Sequence, residues 1–213
     1  ITIAEQGKLA VGTQKDGKHQ GEAIAIGAVP ITVQDRNKDG KQDIDEVLYA
    51  IHERYYAGGA NAGYEVNASG YLTKLLGKPA SASGMWINNV AAGTGLKDQV
   101  KAGDYVSVFT YKDTKTWSDK FTKFDQNEDK VTAGEAVEMS LQAAGFDEKF
   151  NTVWNPAGSV TISLLDGRVL GTTDAEGKVK LSGLAQGTHK VVASTADGLT
   201  VPAVATIVVK DPQ

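Results

Sequence analysis

The amino-acid sequence predicts an α+β domain followed by an all-β sandwich of immunoglobulin-like type. In the first half, one stretch has the apolar spacing of a helix and is flanked by strand-like runs. After about residue 125, short strands alternate with turn signals along the remaining chain. The 213 residues suffice for two small domains, which we place at 1–125 and 126–213.

The first domain is expected to contain helices between strands. Ile44, Leu48 and Ile51 recur at the spacing of a helical stripe, and the pair Gly58-Gly59 ends the pattern. A second, shorter helix is expected before Gly77. In chain order, the predicted elements are strands at 8–14 and 22–34, helices at 43–56 and 69–76, and strands at 85–90 and 104–111.

The second domain is expected to consist of strands only. Turn signals such as Asp166-Gly167 and Asp197-Gly198 separate short apolar runs at the spacing of a sandwich. The predicted strands cover residues 136–142, 159–165, 178–181, 188–194 and 203–209.

The composition excludes several classes of function. A net charge of −4 argues against a nucleic-acid or anionic-membrane partner, since both attract basic proteins. The chain has no cysteine, which excludes disulfides, thiolate metal sites and a cysteine nucleophile. The longest apolar run, residues 22–34, is shorter than the ~20 residues that a membrane-spanning helix needs.

Both ends of the chain have the character of a piece cut from a longer protein. It begins with Ile1 instead of methionine, and it stops at Gln213 without a terminating element. A missing export signal therefore carries no weight. The lack of cysteine agrees with an exported bacterial protein, and we expect an extracellular, cell-surface or secreted location.

An acidic run between residues 35 and 46 has the spacing of a calcium-binding loop. Oxygen-bearing side chains stand at positions one, three, five, nine and twelve, and Gly40 stands at position six, where the loop turns tightly. The run resembles EF-hand and dockerin loops, although Gln42 replaces the usual apolar residue at position eight. The predicted ligands are Asp35, Asn37, Asp39, the backbone carbonyl of Lys41, Asp43 and Glu46.

The alternative interpretation of this run needs no metal. Asp43 followed three residues later by Glu46 is also the pattern of a helix cap, which would make the run a polar turn before a capped helix. Such a cap does not account for the three oxygen-bearing residues before Gly40. A second acidic run, Asp125–Asp129, lacks the glycine and the final acid, and we interpret it as a solvated turn between the domains.

Catalysis has little support in the sequence. His52-Glu53 begins like the His-Glu-x-x-His helix of zinc proteases, but Tyr56 stands where the second histidine belongs. Tyr49, His52 and Tyr56 share one flank of the predicted helix. This flank either packs against a neighbouring strand or lines a ligand groove, in which case Tyr49, His52 and Trp86 are the candidate ligand-binding residues.

Residues 25–125 resemble the β-grasp family related to the C-terminal domain of transcobalamin, as it occurs in Gram-positive bacterial surface proteins. The resemblance rests on the acidic loop and helix, on Leu72–Gly77, on Gly84–Asn89 and on Val100–Val106. It implies a β-grasp fold. In the animal carriers this domain covers one face of a corrinoid, but no residue is carried over as a corrinoid contact.

The second half resembles bacterial immunoglobulin-like stalk domains. In those domains a Thr-Asp-x-x-Gly hairpin, here Thr173–Gly177, precedes a Gly-Thr-(Tyr/His)-x-Val strand, here Gly187–Val191. The resemblance implies an all-β spacer.

Three functions are compatible with these features of the sequence. The first is a calcium-stabilised, non-enzymatic module that serves recognition, adhesion or spacing. Its partner would be an extracellular protein, glycan or small ligand, and we expect a monomer without membrane insertion. The second is a carrier of a flat ligand such as a corrinoid or tetrapyrrole. An enzyme has the least support, because no acid, base or nucleophile set converges in the sequence.

Overall fold

Residues 1–212, which the computed structural model describes, divide into two units. Unit 1 comprises Ile1–Glu5 and Leu9–Tyr111, and unit 2 comprises Gln6–Lys8 and the chain from Lys112 onward. The division after Tyr111 differs from the predicted one after residue 125, because the segment from Lys112 to residue 125 contributes a strand to the sandwich of unit 2. None of the helices in residues 1–212 has the length and apolar character that crossing a membrane requires.

Unit 1 contains short strands around one long helix. Its helices are α1 (Ile44–Tyr55) and α2 (Gly59–Gly63), and turns of 3-10 helix lie at Gly17–His19 and Gly95–Lys97. Its strands are β1 (Thr2–Glu5), β2 (Lys8–Leu9), β3 (Val11–Thr13), β4 (Ala23–Ala25), β5 (Gln42–Asp43), β6 (Glu65–Val66), β7 (Leu72–Leu75), β8 (Lys78–Pro79), β9 (Ser83–Ile87), β10 (Val90–Ala91), β11 (Gln99–Val100) and β12 (Val106–Thr110).

The main sheet of unit 1 has the order β10-β9-β12-β1-β2. Strand β1 runs parallel to β12, while β9 runs antiparallel to β12 on its other side. Helix α1 lies in sequence between the first and the last strands of this sheet. Its buried residues Ile44, Leu48 and Ile51 share one core with Ile3 and Val108 of the sheet. The remaining strands form the pairs β3-β4 and β5-β11 and the sheet β6-β7-β8.

The predicted long helix is observed, with Asp43 as its N-cap and Tyr56 as its C-cap. The prediction of a shorter helix at 69–76 is wrong. Residues Leu72–Leu75 form strand β7, and Leu75 pairs with Lys78 of β8. Leu76 and Gly77 between them have φ values of 47° and 77°, so they form a two-residue hairpin turn of the type that requires positive φ. Gly77 therefore closes a hairpin instead of ending a helix.

The first predicted strands are only partly observed. Strand β4 covers three residues of the run predicted at 22–34, and residues 29–35 are paired with no other strand of the described chain. Strand β1 was not predicted. The strand predicted at 85–90 is a hairpin of β9 and β10, turned by Asn88 and Asn89 at positive φ.

Unit 2 is an all-β sandwich, as predicted. One sheet has the order β16-β15-β13-β21, with β19 also pairing with β15, and the other has the order β14-β22-β20-β17-β18. The strands are β13 (Lys120–Phe124), β14 (Glu128–Thr132), β15 (Val137–Phe146), β16 (Thr152–Pro156), β17 (Thr161–Leu164), β18 (Val169–Thr172), β19 (Lys178–Leu181), β20 (Gly187–Ser194), β21 (Thr200–Val201) and β22 (Val204–Lys210).

The two sheets of unit 2 enclose one apolar core. Leu141 and Leu181 of the first sheet and Ile162, Val191 and Ile207 of the second are fully buried within it. The alternation of buried and exposed residues along β19 and β22 places every second side chain in this core. The sequence predicted these strands from short apolar runs between turn signals, and the structure adds the period of two.

Candidate metal centre and adjoining groove

The acidic run at 35–46 forms a loop that connects the segment 29–35, which belongs to no strand, to helix α1. The loop turns at Gly40, whose φ is +82°, and its last residues pair with β11 before the helix begins. A side chain at this φ would be strained, so the glycine matches its predicted place at the tight turn.

The first half of the loop folds around the carboxylate of Asp35. Asp35 Oδ2 accepts a hydrogen bond from the Gly40 N–H at 2.8 Å, and Oδ1 accepts one from the Asp39 N–H at 3.2 Å. Asn37 Oδ1 accepts a second hydrogen bond from the Asp39 N–H, and Asp39 Oδ1 accepts one from the Lys41 N–H. The predicted ligands of this half therefore hold the loop together through its backbone donors.

The second half of the loop caps helix α1. Asp43 Oδ1 accepts a hydrogen bond from the Glu46 N–H at 2.9 Å, so the cap of the metal-free interpretation is present. Burial raises the pKa of Asp43, and the nearby carboxylates of Glu46, Asp45 and Asp39 raise it further, against the lowering effect of the capping hydrogen bond. Negative charge is thus crowded at the start of the helix.

Glu46 is the most enclosed acid of the loop, with 5% of its surface exposed. Its carboxylate accepts a hydrogen bond from the backbone N–H of Arg36. No lysine, arginine or histidine of residues 1–212 forms an ion pair with it. A buried carboxylate without a counter-charge is unfavourable, and a bound cation is one of the ways in which proteins compensate for it.

The structure brings only some of the predicted ligands together. Asn37, Asp39, Lys41 and Asp43 line one cavity of about 370 Å³, whereas Glu46 lines a different groove. Within residues 1–212, no three carboxylate or histidine side chains are arranged to hold a metal ion. The oxygen donors suit a hard cation, but Glu46 would have to exchange its hydrogen bond with Arg36 to join the others.

The second acidic run is a turn, but within one unit. Residues 125–127 connect β13 to β14 inside the sandwich, so the predicted location between the domains is wrong. Asp125 Oδ1 accepts a hydrogen bond from the Ser140 N–H at 3.1 Å and so ties this turn to β15.

His52 is placed in the interior of unit 1. Its side chain is fully buried, Nε2 accepts a hydrogen bond from the Leu76 N–H at 2.8 Å, and Nδ1 donates one to the Leu48 carbonyl at 2.6 Å. Burial lowers the pKa of this imidazole. The ring centroids of Tyr56 and Tyr64 lie 6.0 and 4.9 Å from that of the imidazole, so both ring nitrogens are hydrogen-bonded and two aromatic rings are neighbours.

The three candidate ligand-binding residues do not share one cavity. Trp86 is 5% exposed in strand β9, and His52 is enclosed in the core. Tyr49 alone lines an open groove of about 590 Å³. The guanidinium carbon of Arg36 lies 3.1 Å above the centre of the Tyr49 ring.

The ligand groove expected from the sequence would combine Tyr49, His52 and Trp86, and the observed groove contains only Tyr49 of these three. One wall is the outer face of helix α1, with Glu46, Tyr49, Ala50 and Glu53 at helical spacing, and the other wall is the segment from Pro30 to Arg36. The sequence shows the helical spacing of these residues. It does not show which segment of the chain lies opposite them.

Comparison with known proteins finds no matching family model and no matching curated protein. The resemblance to the transcobalamin C-terminal domain gains no support from these comparisons.

Several solved structures are similar to parts of the chain. A fibronectin(III)-like module of Clostridium thermocellum CbhA is 19% identical with a TM-score of 0.29, covering 43% of this chain and 99% of that one. The N-terminal four Ig domains of Dscam1 isoform 4.44 are 13% identical with a TM-score of 0.25, covering 61% of this chain. This chain spans 27% of that structure. At such TM-scores the likenesses carry no argument about function.

Proposed function

We propose that the chain is a non-enzymatic extracellular module of a bacterial surface or secreted protein, stabilised by calcium and serving recognition, adhesion or spacing. The observation that carries the calcium part is the enclosed carboxylate of Glu46, which has no ion-pair partner in residues 1–212 and stands at the twelfth position of the acidic loop. A structural cation at that place would connect the loop to the first turn of α1.

The proposed ligands are those predicted from the spacing. Asp35, Asn37 and Asp39 would supply side-chain oxygens from the first half of the loop, Lys41 a backbone carbonyl, and Asp43 and Glu46 carboxylates from the helix start. A bound cation would relieve the repulsion that raises the pKa of Asp43. Glu46 would then exchange the Arg36 N–H for the cation.

We assign the two units to a β-grasp-like domain and an immunoglobulin-like domain. Support for the first comes from the order of its elements, two strands, a helix and three further strands, with the first strand parallel to the last within the sheet. Support for the second comes from its two packed sheets and their shared core. Tandem small units of this kind suit a module that presents a surface at a distance from its anchor.

Calcium titration of the chelator-treated protein tests this proposal. Because single extracellular loops bind calcium with dissociation constants on the order of 10⁻⁴–10⁻³ M, calorimetry and thermal melting at about 5 mM calcium should detect it. We expect binding heat and a rise in Tm. The variant Glu46→Gln keeps an acceptor for the Arg36 N–H but removes the charge, and it should abolish both effects.

Asp45→Asn is the matched control. It removes one negative charge from the same turn of the helix, at a residue outside the proposed ligand set, and asparagine retains an acceptor for the Tyr64 hydroxyl that Asp45 now binds. The control should keep the calcium response. No heat and no change in Tm for the unmodified protein would refute the calcium part of the proposal.

A further inference from the structure

The chain contains four dipeptides in which glycine follows aspartate. Glycine hinders attack of its own amide nitrogen on the preceding side chain less than any other residue, because it has no Cβ. An Asp-Gly dipeptide is therefore the aspartate sequence that closes most readily into a succinimide ring. All four aspartates are exposed, so exposure does not distinguish them. The four dipeptides are Asp16-Gly17, Asp39-Gly40, Asp166-Gly167 and Asp197-Gly198.

In three of these dipeptides the amide of the glycine is already hydrogen-bonded. The Gly40 N–H donates to Asp35 Oδ2 at 2.8 Å. The N–H groups of Gly167 and Gly198 each donate to the backbone carbonyl three residues earlier, at 3.0 Å. Attack by any of these nitrogens on the neighbouring aspartate would first require the loss of that hydrogen bond.

The aspartate carboxylates of the same three dipeptides are held as well. Oδ1 of Asp39 accepts a hydrogen bond from the backbone N–H two residues later at 2.8 Å, and Oδ1 of Asp166 and of Asp197 accept the equivalent bond at 2.9 Å. This is the Asx turn that aspartate commonly forms with its own backbone. It keeps the carboxylate on a later N–H and away from the glycine nitrogen in between.

Asp16-Gly17 has neither kind of protection. The Gly17 N–H donates no hydrogen bond to any residue of the described chain, and the Asp16 side chain caps none of the N–H groups of the 3-10 turn that it precedes. The Asp16 carboxylate forms an ion pair with Arg54 at 2.8 Å, in which both side chains are exposed. Exposed ion pairs contribute little stability, so this one restrains the carboxylate only weakly.

We propose that Asp16-Gly17 is a site at which the folded protein spontaneously forms isoaspartate, while hydrogen bonds protect its other three Asp-Gly dipeptides. The Gly17 nitrogen attacks Asp16 Cγ, and the N–H proton and the carboxyl hydroxyl leave together as water, which closes the succinimide ring. Addition of water at Cγ restores aspartate. Addition of water at the backbone carbonyl carbon leaves a chain that runs through Cβ and Cγ, which is isoaspartate.

The modification would act on the end of helix α1. Lys15 Nζ donates a hydrogen bond to the Glu53 carbonyl at 3.0 Å, and the next residue, Asp16, pairs with Arg54. These two contacts attach the loop between β3 and β4 to the last turn of the helix. Isoaspartate adds one atom to the backbone of this loop and moves the carboxylate, so the ion pair with Arg54 should be lost. The site is independent of the calcium-binding and recognition roles proposed above.

Peptide mapping of the aged protein tests this inference. The full chain is incubated with a chelator at mildly acidic pH, and electron-transfer fragmentation then distinguishes isoaspartate from aspartate at each site. We expect about tenfold more isoaspartate at residue 16 than at residues 39, 166 and 197, because the loss of one hydrogen bond before attack slows a reaction by about that factor. In concentrated guanidinium chloride, which is the control, all four sites should react at similar rates.

Two variants test the chemistry and the protection separately. Asp16→Glu keeps the carboxylate but would have to close a six-membered ring, which forms far more slowly, so the product at residue 16 should disappear. Asp35→Ala removes the acceptor of the Gly40 N–H and should increase isoaspartate at Asp39 without changing the level at Asp16. Melting curves establish that each variant is folded.

Three outcomes would overturn the inference. The first is an equal level of isoaspartate at all four sites of the folded protein. The second is no isoaspartate at Asp16 in the folded protein under conditions in which the unfolded chain forms it there. The third is an unchanged level at Asp39 in the Asp35→Ala variant, which would show that hydrogen bonding of the glycine amide does not protect these sites.

Discussion

The imidazole of His52 accepts a hydrogen bond from the backbone N–H of Leu76, 2.8 Å away, and so joins helix α1 to the turn between β7 and β8. Because Nε2 accepts this bond, the proton of the neutral ring is on Nδ1, which donates to the Leu48 carbonyl one turn earlier in the helix. A buried histidine in this arrangement connects two elements of the fold.

Replacing His52 should therefore destabilise unit 1. His52→Ala leaves a cavity and removes the partner of a buried N–H, which together should lower the free energy of unfolding by about 2–4 kcal/mol. Urea denaturation measures this change. His19→Ala is the control, since His19 is exposed and its substitution should change the stability little. Equal effects of the two substitutions would contradict the structural role of His52.

The same histidine should make stability depend on pH. Burial lowers the pKa of His52 below its ordinary value of 6.5, against smaller raising effects of its hydrogen bonds and of the Glu53 carboxylate. Below pH 6.5 the unfolded chain binds a proton that the folded protein does not, so the stability present at neutral pH is lost as the pH falls.

Urea unfolding should give a lower free energy of unfolding at pH 5.5 than at pH 7.5, and we expect His52 to account for about 1 kcal/mol of the difference. The His52→Gln variant should lose less than the unmodified protein over the same range, because glutamine does not titrate. If the two proteins lose the same amount, other groups control the pH dependence.

The turn after β7 should tolerate no side chain at Gly77. Its φ is +77°, and a Cβ there would collide with the hydroxyl oxygen of Tyr56. Gly70 has a similar φ of +85° but open space around it. We expect Gly70→Ala to cost about 1–2 kcal/mol for the backbone conformation alone and Gly77→Ala to cost more.

Adding Tyr56→Phe should restore part of the stability of Gly77→Ala, because it removes the colliding oxygen. Differential scanning calorimetry of the two single variants and the double variant measures this coupling. If the stability changes of the two single variants add up to that of the double variant, the Tyr56 hydroxyl is not what opposes a side chain at position 77.

In unit 2, the hydroxyl of Thr173 should stabilise the fold. It donates a hydrogen bond to the Ala157 carbonyl at 2.6 Å and accepts one from the Val160 N–H at 3.0 Å, and the residue is 4% exposed. Thr173→Val keeps the shape but leaves both buried groups without a partner, so we expect a loss of about 1–3 kcal/mol. Thr173→Ser keeps the hydroxyl and should lose less. Denaturation with guanidinium chloride compares the two.

Capping and calcium binding at Asp43 can also be separated. Asp43→Ala removes the acceptor of the Glu46 N–H and should cost about 1 kcal/mol without calcium. Asp43→Ser retains a capping oxygen, so it should restore most of that stability but not the rise in Tm with calcium. A serine variant with an unreduced calcium response would place Asp43 outside the ligand set.

Much of the fold followed from local spacing. Helix α1 was predicted because Ile44, Leu48 and Ile51 lie on one face, and the observed element differs from the prediction by one residue at each end. The strands β19 and β22 were predicted from short apolar runs between turn signals. Leu72–Leu75 was misassigned to a helix because four residues satisfy either period, and the hairpin turn at Leu76 and Gly77 decided for the strand.

The sequence by itself determined the acidic loop, the helix that follows it and the all-β character of the second half, because these depend on residues close together in the chain. Only the tertiary structure decided that Thr2 pairs with Ser107, that His52 binds Leu76, and that the segment 30–36 lies opposite α1 to form a groove. These contacts join residues distant in sequence, and no local periodicity encodes which distant segments will pair.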